Sequence, residues 1–233
     1  MSMLLSHPYR ALVIGSTGAI GAAFVRACRA DPHCDSVSEV SRRNDSGFDL
    51  GDEASIQRAA ERCTALGPFH LIVDATGALS IHGVPPEKSL TQLSAERLLE
   101  SFTVNAFGPA LLVKHFAPLL AAGPSVYAKL SARVGSISDN RLGGWYGYRA
   151  SKAALNMLLQ TAAIELQRRN PALRVVALQP GTVDSALSRP FQAGVKHLLS
   201  ADESVAGLME ALRSLPEGKG AQFVDYRGAA VPW

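Results

Sequence analysis

Short apolar runs that alternate with helix-like segments limit this chain to a few folds. Residues 11–14 and 71–73 are wholly apolar, which is typical of strands buried on both faces of a parallel sheet. Further strands are predicted at residues 37–41, 125–130, 173–178 and 222–226. Helices are predicted at residues 22–30, 52–66, 94–121, 148–169 and 203–214. Strands alternating with helices indicate an α/β fold, with helices covering both faces of one mostly parallel sheet.

Length and composition favour one globular domain over residues 1–233. The chain is 47% apolar and only 18% charged, as expected of a protein with a large buried core. Its net charge of +3, without basic blocks, does not indicate a nucleic-acid partner. The six histidines show no metal-ligand spacing. We therefore expect neither nucleic acid nor a metal ion.

The cysteines and the longest apolar stretches bear on the compartment. Cys28, Cys34 and Cys63 are odd in number and irregularly spaced, so a disulfide framework is not expected. Residues 1–10 lack the pattern of a signal peptide. No charge-free apolar stretch reaches the ~18 residues of a spanning helix. These features predict a soluble cytoplasmic protein without a membrane partner.

A glycine-rich segment directly follows the first predicted strand. Gly15, Gly18 and Gly21 lie at the turn into the first helix. Glycine lets the backbone approach a pyrophosphate, and a helix N-terminus offers free N–H groups and a positive dipole. The pattern indicates a dinucleotide site, although a purely structural turn is the alternative.

The end of the second strand bears on which dinucleotide binds. An acidic residue there suits the ribose 2′-hydroxyl of NAD, whereas arginine suits the 2′-phosphate of NADP. Here Ser41 is followed by Arg42 and Arg43, and no acid is present. The two arginines also suit a solvated surface, but the missing acid beside them favours NADP(H) over NAD(H).

Tyr148 and Lys152 are separated by one helical turn and therefore share one helix face. A cation close to a phenol favours its ionised form. We expect this to lower the pKa of Tyr148 and to make it a proton donor and acceptor near neutral pH. An ordinary surface Tyr and Lys is the alternative.

Several motifs occur in one order along the chain: the glycine segment 15–21, Asp74-Ala75-Thr76-Gly77, Asn105, Tyr148 with Lys152, and Pro180-Gly181. This order resembles the short-chain dehydrogenase/reductase family over nearly the whole chain. Residues 135–152 and the ending Val231-Pro232-Trp233 are similar to its C-factor and carbonyl-reductase-like branch. The resemblance implies a Rossmann-type sheet of seven strands and hydride transfer between a nicotinamide and a carbonyl or alcohol.

The resemblance also implies residue roles. Tyr148 would exchange a proton with the carbonyl oxygen, and Lys152 would hydrogen-bond the nicotinamide ribose. Further residues would contact the cofactor: Gly15, Ser16, Thr17, Gly18, Ile20, Gly21, Arg42, Asp49, Leu50, Ala75, Thr76, Gly77, Tyr148, Lys152, Pro180, Gly181, Thr182 and Val183. The usual family pattern has asparagines where Asp74 and Ala75 stand, so the chain departs from the family there.

Asn105 precedes Pro109 by four residues within a predicted helix. Proline has no N–H, so the Asn105 carbonyl loses its usual helical donor and the helix should kink. In the resemblance this asparagine holds a water in a proton relay with the lysine. An asparagine in a strained helix without a catalytic task is the alternative.

The substrate-orienting serine of the family has no clear counterpart. Aligning its Ser-x-x-Gly pattern on Gly135 puts Ala132 in the serine position. Ser131 is one residue away, and strand alternation would turn it to the other face unless the chain already bends there. We favour Ser131 as the catalytic serine, with Ser136 or no serine as alternatives.

These features predict an NADP-dependent oxidoreductase acting on a small carbonyl or alcohol. A nucleotide-binding regulatory or signalling protein with little turnover is the alternative.

Residues 184–200 would cover an apolar substrate, although a lid needs the same apolar residues to fold: Ala186, Leu187, Pro190, Phe191, Val195, Leu198 and Leu199. Trp145 and Tyr146 would either line the pocket or pack beneath the adjoining turn. The helices of Asn105 and Tyr148 form dimer faces in relatives, which implies a homodimer or homotetramer.

Overall fold

The computed structural model describes residue 5 and residues 7–186, 188–192 and 197–233. Its strands are β1 (Tyr9–Ile14), β2 (Cys34–Val40), β3 (Leu71–Asp74), β4 (Ser125–Leu130), β5 (Leu173–Gln179), β6 (Thr182–Val183), β7 (Leu198–Leu199) and β8 (Ala221–Asp225). Its α-helices are α1 (Ala19–Ala30), α2 (Glu53–Cys63), α3 (Ala95–Phe102), α4 (Gly108–Phe116), α5 (Tyr146–Arg169) and α6 (Ala201–Arg213).

The main sheet has the strand order β2-β1-β3-β4-β5-β8, and each neighbouring pair is parallel. β6 and β7 form a separate parallel pair. From β1 the chain moves outward to β2 and then returns to β3 on the other side of β1. This reversal opens a crevice at the carboxyl ends of β1 and β3, where ligands bind in open α/β sheets. The predicted α/β class is confirmed.

Apolar side chains cover both faces of the sheet because alternate residues of each strand point to opposite sides. On one face, Val13 and Val73 pack with residues of α1 and α6. On the other, Leu12 and Ile72 pack with residues of α2, α4 and α5. The wholly apolar strands predicted from the sequence are therefore buried between two helical layers.

The expected count of seven strands is wrong, since the main sheet of the described residues has six. β2 is its edge strand, and residues 41–51 connect β2 to α2 without forming a strand. A further parallel strand outside β2 would need a crossover connection of a dozen or more residues. This connection is too short for that crossover.

The helix predicted over residues 94–121 is interrupted at its centre. Thr103–Phe107 form a π-helical turn between α3 and α4, and the Gly108 amide donates to the Thr103 carbonyl. Pro109 occupies the start of α4, where its missing N–H does not break the helix. The kink predicted from Pro109 thus takes the form of a π turn that contains Asn105.

No helix in the described part of the chain is long and apolar enough to cross a membrane. Among the same residues, His, Cys, Asp and Glu side chains form no group of three or more that could hold a metal ion.

Candidate active site

A cavity of about 860 Å³ lies at the carboxyl ends of the strands. The glycine segment and the β3 loop line one side, and the start of α5 with the segment after β5 lines the other. Predicted site residues that line it are Thr17, Gly18, Ile20, Gly21, Ala75, Thr76, Gly77, Ser131, Tyr148, Lys152, Pro180, Gly181, Thr182 and Val183. The fold therefore brings together residues that are far apart in sequence.

The glycine segment has the backbone geometry of a phosphate cradle. Gly15 has a φ of +81°, and a Cβ there would come within 3.3 Å of the backbone of Ala75 and Thr76. A Cβ on Gly21 would lie 2.1 Å from the Gly15 carbonyl oxygen. Gly18 precedes α1 and provides no side-chain cap for its first N–H groups. An anionic phosphate fits these uncapped donors at the start of a helix.

Tyr148 and Lys152 lie on the first turns of α5 and face this cavity. The Lys152 ammonium lies 5.7 Å from the centroid of the Tyr148 ring and donates to the Leu130 carbonyl at 3.2 Å. A carboxylate oxygen of Glu87 accepts from the Gly147 amide at 3.0 Å. This acidic group satisfies a donor at the start of α5 and so holds the helix that carries both residues.

Burial decides the pKa values of the pair. It raises the pKa of Tyr148 to about 12. Desolvation, together with the nearby Lys129 cation, lowers the pKa of Lys152 to about 7, against the opposing effect of Asp74. Desolvation disfavours both charged forms and outweighs any lowering of the Tyr148 pKa by Lys152. A Tyr148 pKa near neutral pH stays a prediction for the complex with an oxidised nicotinamide.

Asn105 lies outside the cavity lining but holds one of the loops that form it. Its side-chain oxygen accepts from the Ala78 amide at 2.9 Å, and its nitrogen donates to the Ala78 carbonyl at 2.8 Å. A Cβ on Gly77 would lie 3.1 Å from this oxygen and 3.4 Å from the Lys152 nitrogen. Asn105 and Lys152 thus both approach Gly77 closely.

Sequence reasoning missed a buried ion pair directly beneath this loop. The Lys129 ammonium on β4 donates to a carboxylate oxygen of Asp74 on β3 at 2.9 Å, and both side chains are at most 1% exposed. The two residues are register partners in adjacent strands. A lysine within an otherwise mostly apolar strand was the available signal.

The two candidate serines differ in position. Ser131 lines the cavity, but its hydroxyl donates to the Asn156 side-chain oxygen at 2.6 Å. Ser136 does not line the cavity, and its hydroxyl donates to the Trp233 carbonyl at 3.4 Å. Ala132, in the family's serine position, lines the cavity with a methyl group. Only one of the two serines therefore lines the cavity together with Tyr148.

The remaining predicted cofactor residues lie away from the cavity lining: Gly15, Ser16, Arg42, Asp49 and Leu50. Arg42 is exposed on the turn after β2. Asp49 is exposed as well, and its carboxylate accepts from the Gly51 amide at 2.8 Å. The buried Ser16 hydroxyl has no hydrogen-bond partner among the described residues.

The segment after β5 forms one wall of the cavity, with Ala186 and Phe191 in the cavity lining. Trp145, just before α5, lines the cavity as well, and its ring meets the Phe191 ring edge to face with centroids 5.2 Å apart. Trp145 also lies 6.3 Å from the Tyr148 ring. Pro190, Leu198, Leu199 and Tyr146 do not line the cavity. Leu187 and Val195 lie outside the described residues.

Comparisons with known proteins agree with this geometry. A family model described as short chain dehydrogenase matches residues 10–196. The chain is 31% identical over 176 residues to C-signal of Myxococcus xanthus, covering 75% of this chain and 98% of that protein. It is similar in fold to the NADPH-bound carbonyl reductase from chicken fatty liver, with a TM-score of 0.82 and 24% identity over 97% and 95% of the two chains. A small-chain dehydrogenase in complex with NADPH gives a TM-score of 0.74 and 20% identity over 94% and 96%.

Proposed function

Because the chain belongs to the short-chain dehydrogenase family, we propose that it transfers a hydride between NADP(H) and a small carbonyl or alcohol substrate. The observation that carries this proposal is the position of Tyr148 and Lys152, which share one face of α5 and line the cavity opposite the glycine segment. A phenol in that position can give a proton to a carbonyl oxygen or take it back.

NADP(H) would lie along the cavity and supply or accept the hydride. The uncapped start of α1 and the close approach at Gly15 and Gly21 fit its pyrophosphate. Arg42 and Arg43, exposed after β2 without an acidic neighbour in sequence, fit a 2′-phosphate. Two similar solved structures hold NADPH, which supports the same choice.

Each catalytic residue has a task in this proposal. Tyr148 exchanges the proton with the substrate oxygen, while Lys152 binds the nicotinamide ribose and provides charge beside the phenol. Asn105 holds the Gly77–Ala78 segment against Lys152. Ser131 orients the substrate, and it must turn its hydroxyl away from Asn156 to do so.

A steady-state assay tests the proposal. NADPH oxidation is followed across a panel of ketones and quinones, with Tyr148→Phe as the control. Turnover of at least one carbonyl compound that is lost in the variant supports the proposal. Tight NADPH binding without any turnover contradicts it.

A nucleotide-binding regulatory or signalling protein is the second candidate function. Two observations favour it: the Ser131 hydroxyl is engaged by Asn156, and a similar protein bears the name C-signal. Such a protein would bind NADPH as tightly as the enzyme and would show no turnover. The assay above therefore separates the two candidates.

Self-association is part of the proposal. Large apolar side chains are exposed on α3, the π turn and α5: Leu99, Phe107, Met157 and Ile164. An apolar surface of this kind favours burial against a second copy of the chain.

The three cysteines are free thiols, which fits a reducing compartment such as the cytoplasm.

A further inference from the structure

A closed hydrogen-bond network surrounds the buried Lys129 ammonium. Besides Asp74, it donates to the Thr76 carbonyl at 2.7 Å and to the Thr76 hydroxyl at 3.0 Å. The same Asp74 oxygen accepts from the Thr76 amide at 2.9 Å and from its hydroxyl at 2.6 Å. All three ammonium protons of Lys129 therefore have acceptors, as a buried cation requires.

This network determines where the loop after β3 lies. Thr76 is held by Lys129 and Asp74, and two residues later Ala78 is held by Asn105. Gly77 lies between these two attachments, against the Lys152 ammonium. A shift of Thr76 would therefore move the wall against which Lys152 packs.

The network also places two opposite charges close to Lys152. Lys129 lies on β4 immediately before Leu130, whose carbonyl accepts from Lys152. Asp74 keeps its second carboxylate oxygen buried and without a hydrogen-bond partner among the described residues. Inside a protein such charges act over several ångströms because little water screens them.

The other groups that line the cavity with Lys152 are neutral, are paired with a carboxylate or, like Arg149, donate to backbone carbonyls. Tyr148 is the titratable neighbour on its own helix. Gly135 from the loop after β4 packs against it without charge, and the uncharged Asn105 side chain approaches the neighbouring Gly77. Arg133 lines the same cavity, but its guanidinium pairs with Asp139 and Asp225.

We propose that Lys129 and Asp74 are positioning residues: a buried charge pair that holds Thr76 and Gly77 against Lys152 and balances the electrostatic field at its ammonium group. The proposal rests on the catalytic role proposed for Lys152. It assigns a task to a lysine that the sequence motifs leave unexplained, and to the aspartate that stands where the family pattern has asparagine.

The two charges act on Lys152 in opposite directions, which makes the proposal testable. Lys129→Met leaves the Asp74 carboxylate without its cation, so Lys152 should hold its proton to higher pH. Asp74→Asn leaves the Lys129 cation without its anion, so Lys152 should lose its proton at lower pH. We expect opposite shifts of about one pH unit in the Lys152 titration midpoint.

The midpoint is measured without turnover. Trace acetylation by acetic anhydride at a series of pH values, followed by mass spectrometry of the Lys152 peptide, reports the fraction of free amine. Lys114→Met is the matched control, since Lys114 is exposed on α4 and pairs with Glu53; its midpoint should equal that of the wild type. The double variant Asp74→Asn/Lys129→Met should return the midpoint towards the wild-type value.

Opposite shifts in the two single variants support the proposal. Unchanged midpoints, or shifts in the same direction, overturn it, because a merely structural role would lower stability without a directed change at Lys152. If Lys129→Met does not fold, Asp74→Asn and the double variant decide by the same criterion. If the Lys152 midpoint shifts in opposite directions in the two single variants but the wild-type protein turns over no substrate, the proposed function is contradicted. The role of Lys129 and Asp74 in holding and charging the surroundings of Lys152 would still stand.

Discussion

The two ends of the proposed cofactor site are built differently. At the α5 end, Lys152 is buried and Tyr148 half-buried, and the loop after β3 is held by hydrogen bonds to Asn105 and Lys129. At the β2 end, Arg42 and Asp49 are exposed on a turn that lies on the edge of the sheet. The residues proposed to carry the chemistry thus lie in the interior, whereas those proposed to select the nucleotide lie in solvent.

The difference has a physical cause and a consequence. Buried polar groups require partners, so the α5 end tolerates few changes. Exposed charges interact weakly and through water, so the β2 end can change without affecting the core. We therefore expect mutations at the α5 end to affect rate or stability, and mutations at the β2 end to affect nucleotide choice alone.

Tyr148→Phe is the strongest test of this separation. Loss of the phenolic proton should lower kcat by roughly 10³-fold, within the range that general acid catalysis supplies. NADPH affinity, measured by fluorescence titration, should change by less than about threefold because the ring remains in place. A variant that keeps most of its activity would remove Tyr148 from the mechanism.

Ser131→Ala tests the serine that lines the cavity. Loss of a substrate-orienting hydroxyl should lower kcat/KM by roughly 10²-fold. Ser136→Ala is the matched control, since its hydroxyl bonds to the Trp233 carbonyl outside the cavity. Equal activity of the two variants would show that neither serine orients the substrate.

Arg42→Ala tests the β2 end. If Arg42 binds a 2′-phosphate, the Kd for NADPH should rise by roughly 10-fold or more. A change of this size is expected when one charge-assisted hydrogen bond is lost. The Kd for NADH and the kcat at saturation should stay the same. Arg168→Ala, an exposed arginine on the distal part of α5, should leave both affinities unchanged. A parallel loss of NADH affinity would contradict the proposed selectivity.

The pH dependence of stability tests the burial of Lys152. Its pKa of about 7 in the folded chain lies below its ordinary value of 10.5. Between these values the unfolded chain binds more protons, so this group makes the protein more stable as pH rises and less stable as pH falls towards 7. Relative to Lys152→Met, wild type should gain about 2 kcal/mol of unfolding free energy from pH 7 to 9. Urea denaturation measures this, and parallel curves for the two proteins would contradict it.

Substitutions on the exposed apolar surface should have the smallest effect on catalysis. Met157→Glu places a charge on the outer face of α5, where Met157 is 67% exposed. We expect a smaller assembly in light scattering, because burying an unpaired charge in an interface is unfavourable. The affinity for NADPH should stay within about twofold of that of the wild type. An unchanged molar mass would remove α5 from the interface.

Local sequence patterns predicted most of the fold. β4 begins and ends where the apolar run predicts, and the interruption at Asn105 follows from the missing N–H of Pro109. Tyr148 and Lys152 face one cavity because helical spacing alone puts them on one side of α5. Patterns within a single element suffice for predictions of this kind.

Contacts between elements could not be predicted in the same way. Lys129 was one polar residue in a strand until the register placed it opposite Asp74. The Ser131 hydroxyl bonds to Asn156, which lies on another element. The rise of the Tyr148 pKa on burial could not be predicted either, because the depth of burial depends on what α5 packs against.

The sequence by itself therefore determined the order of strands and helices, the glycine segment at the first turn and the position of Tyr148 and Lys152 on one helix face. Each of these depends on the local sequence of one element or of two consecutive elements. The tertiary structure alone decided the six-stranded sheet, the partner of Ser131 and the charge pair beneath Lys152. Those depend on which residues of separate elements meet in a low-dielectric interior, where desolvation and pairing determine the state of every charge.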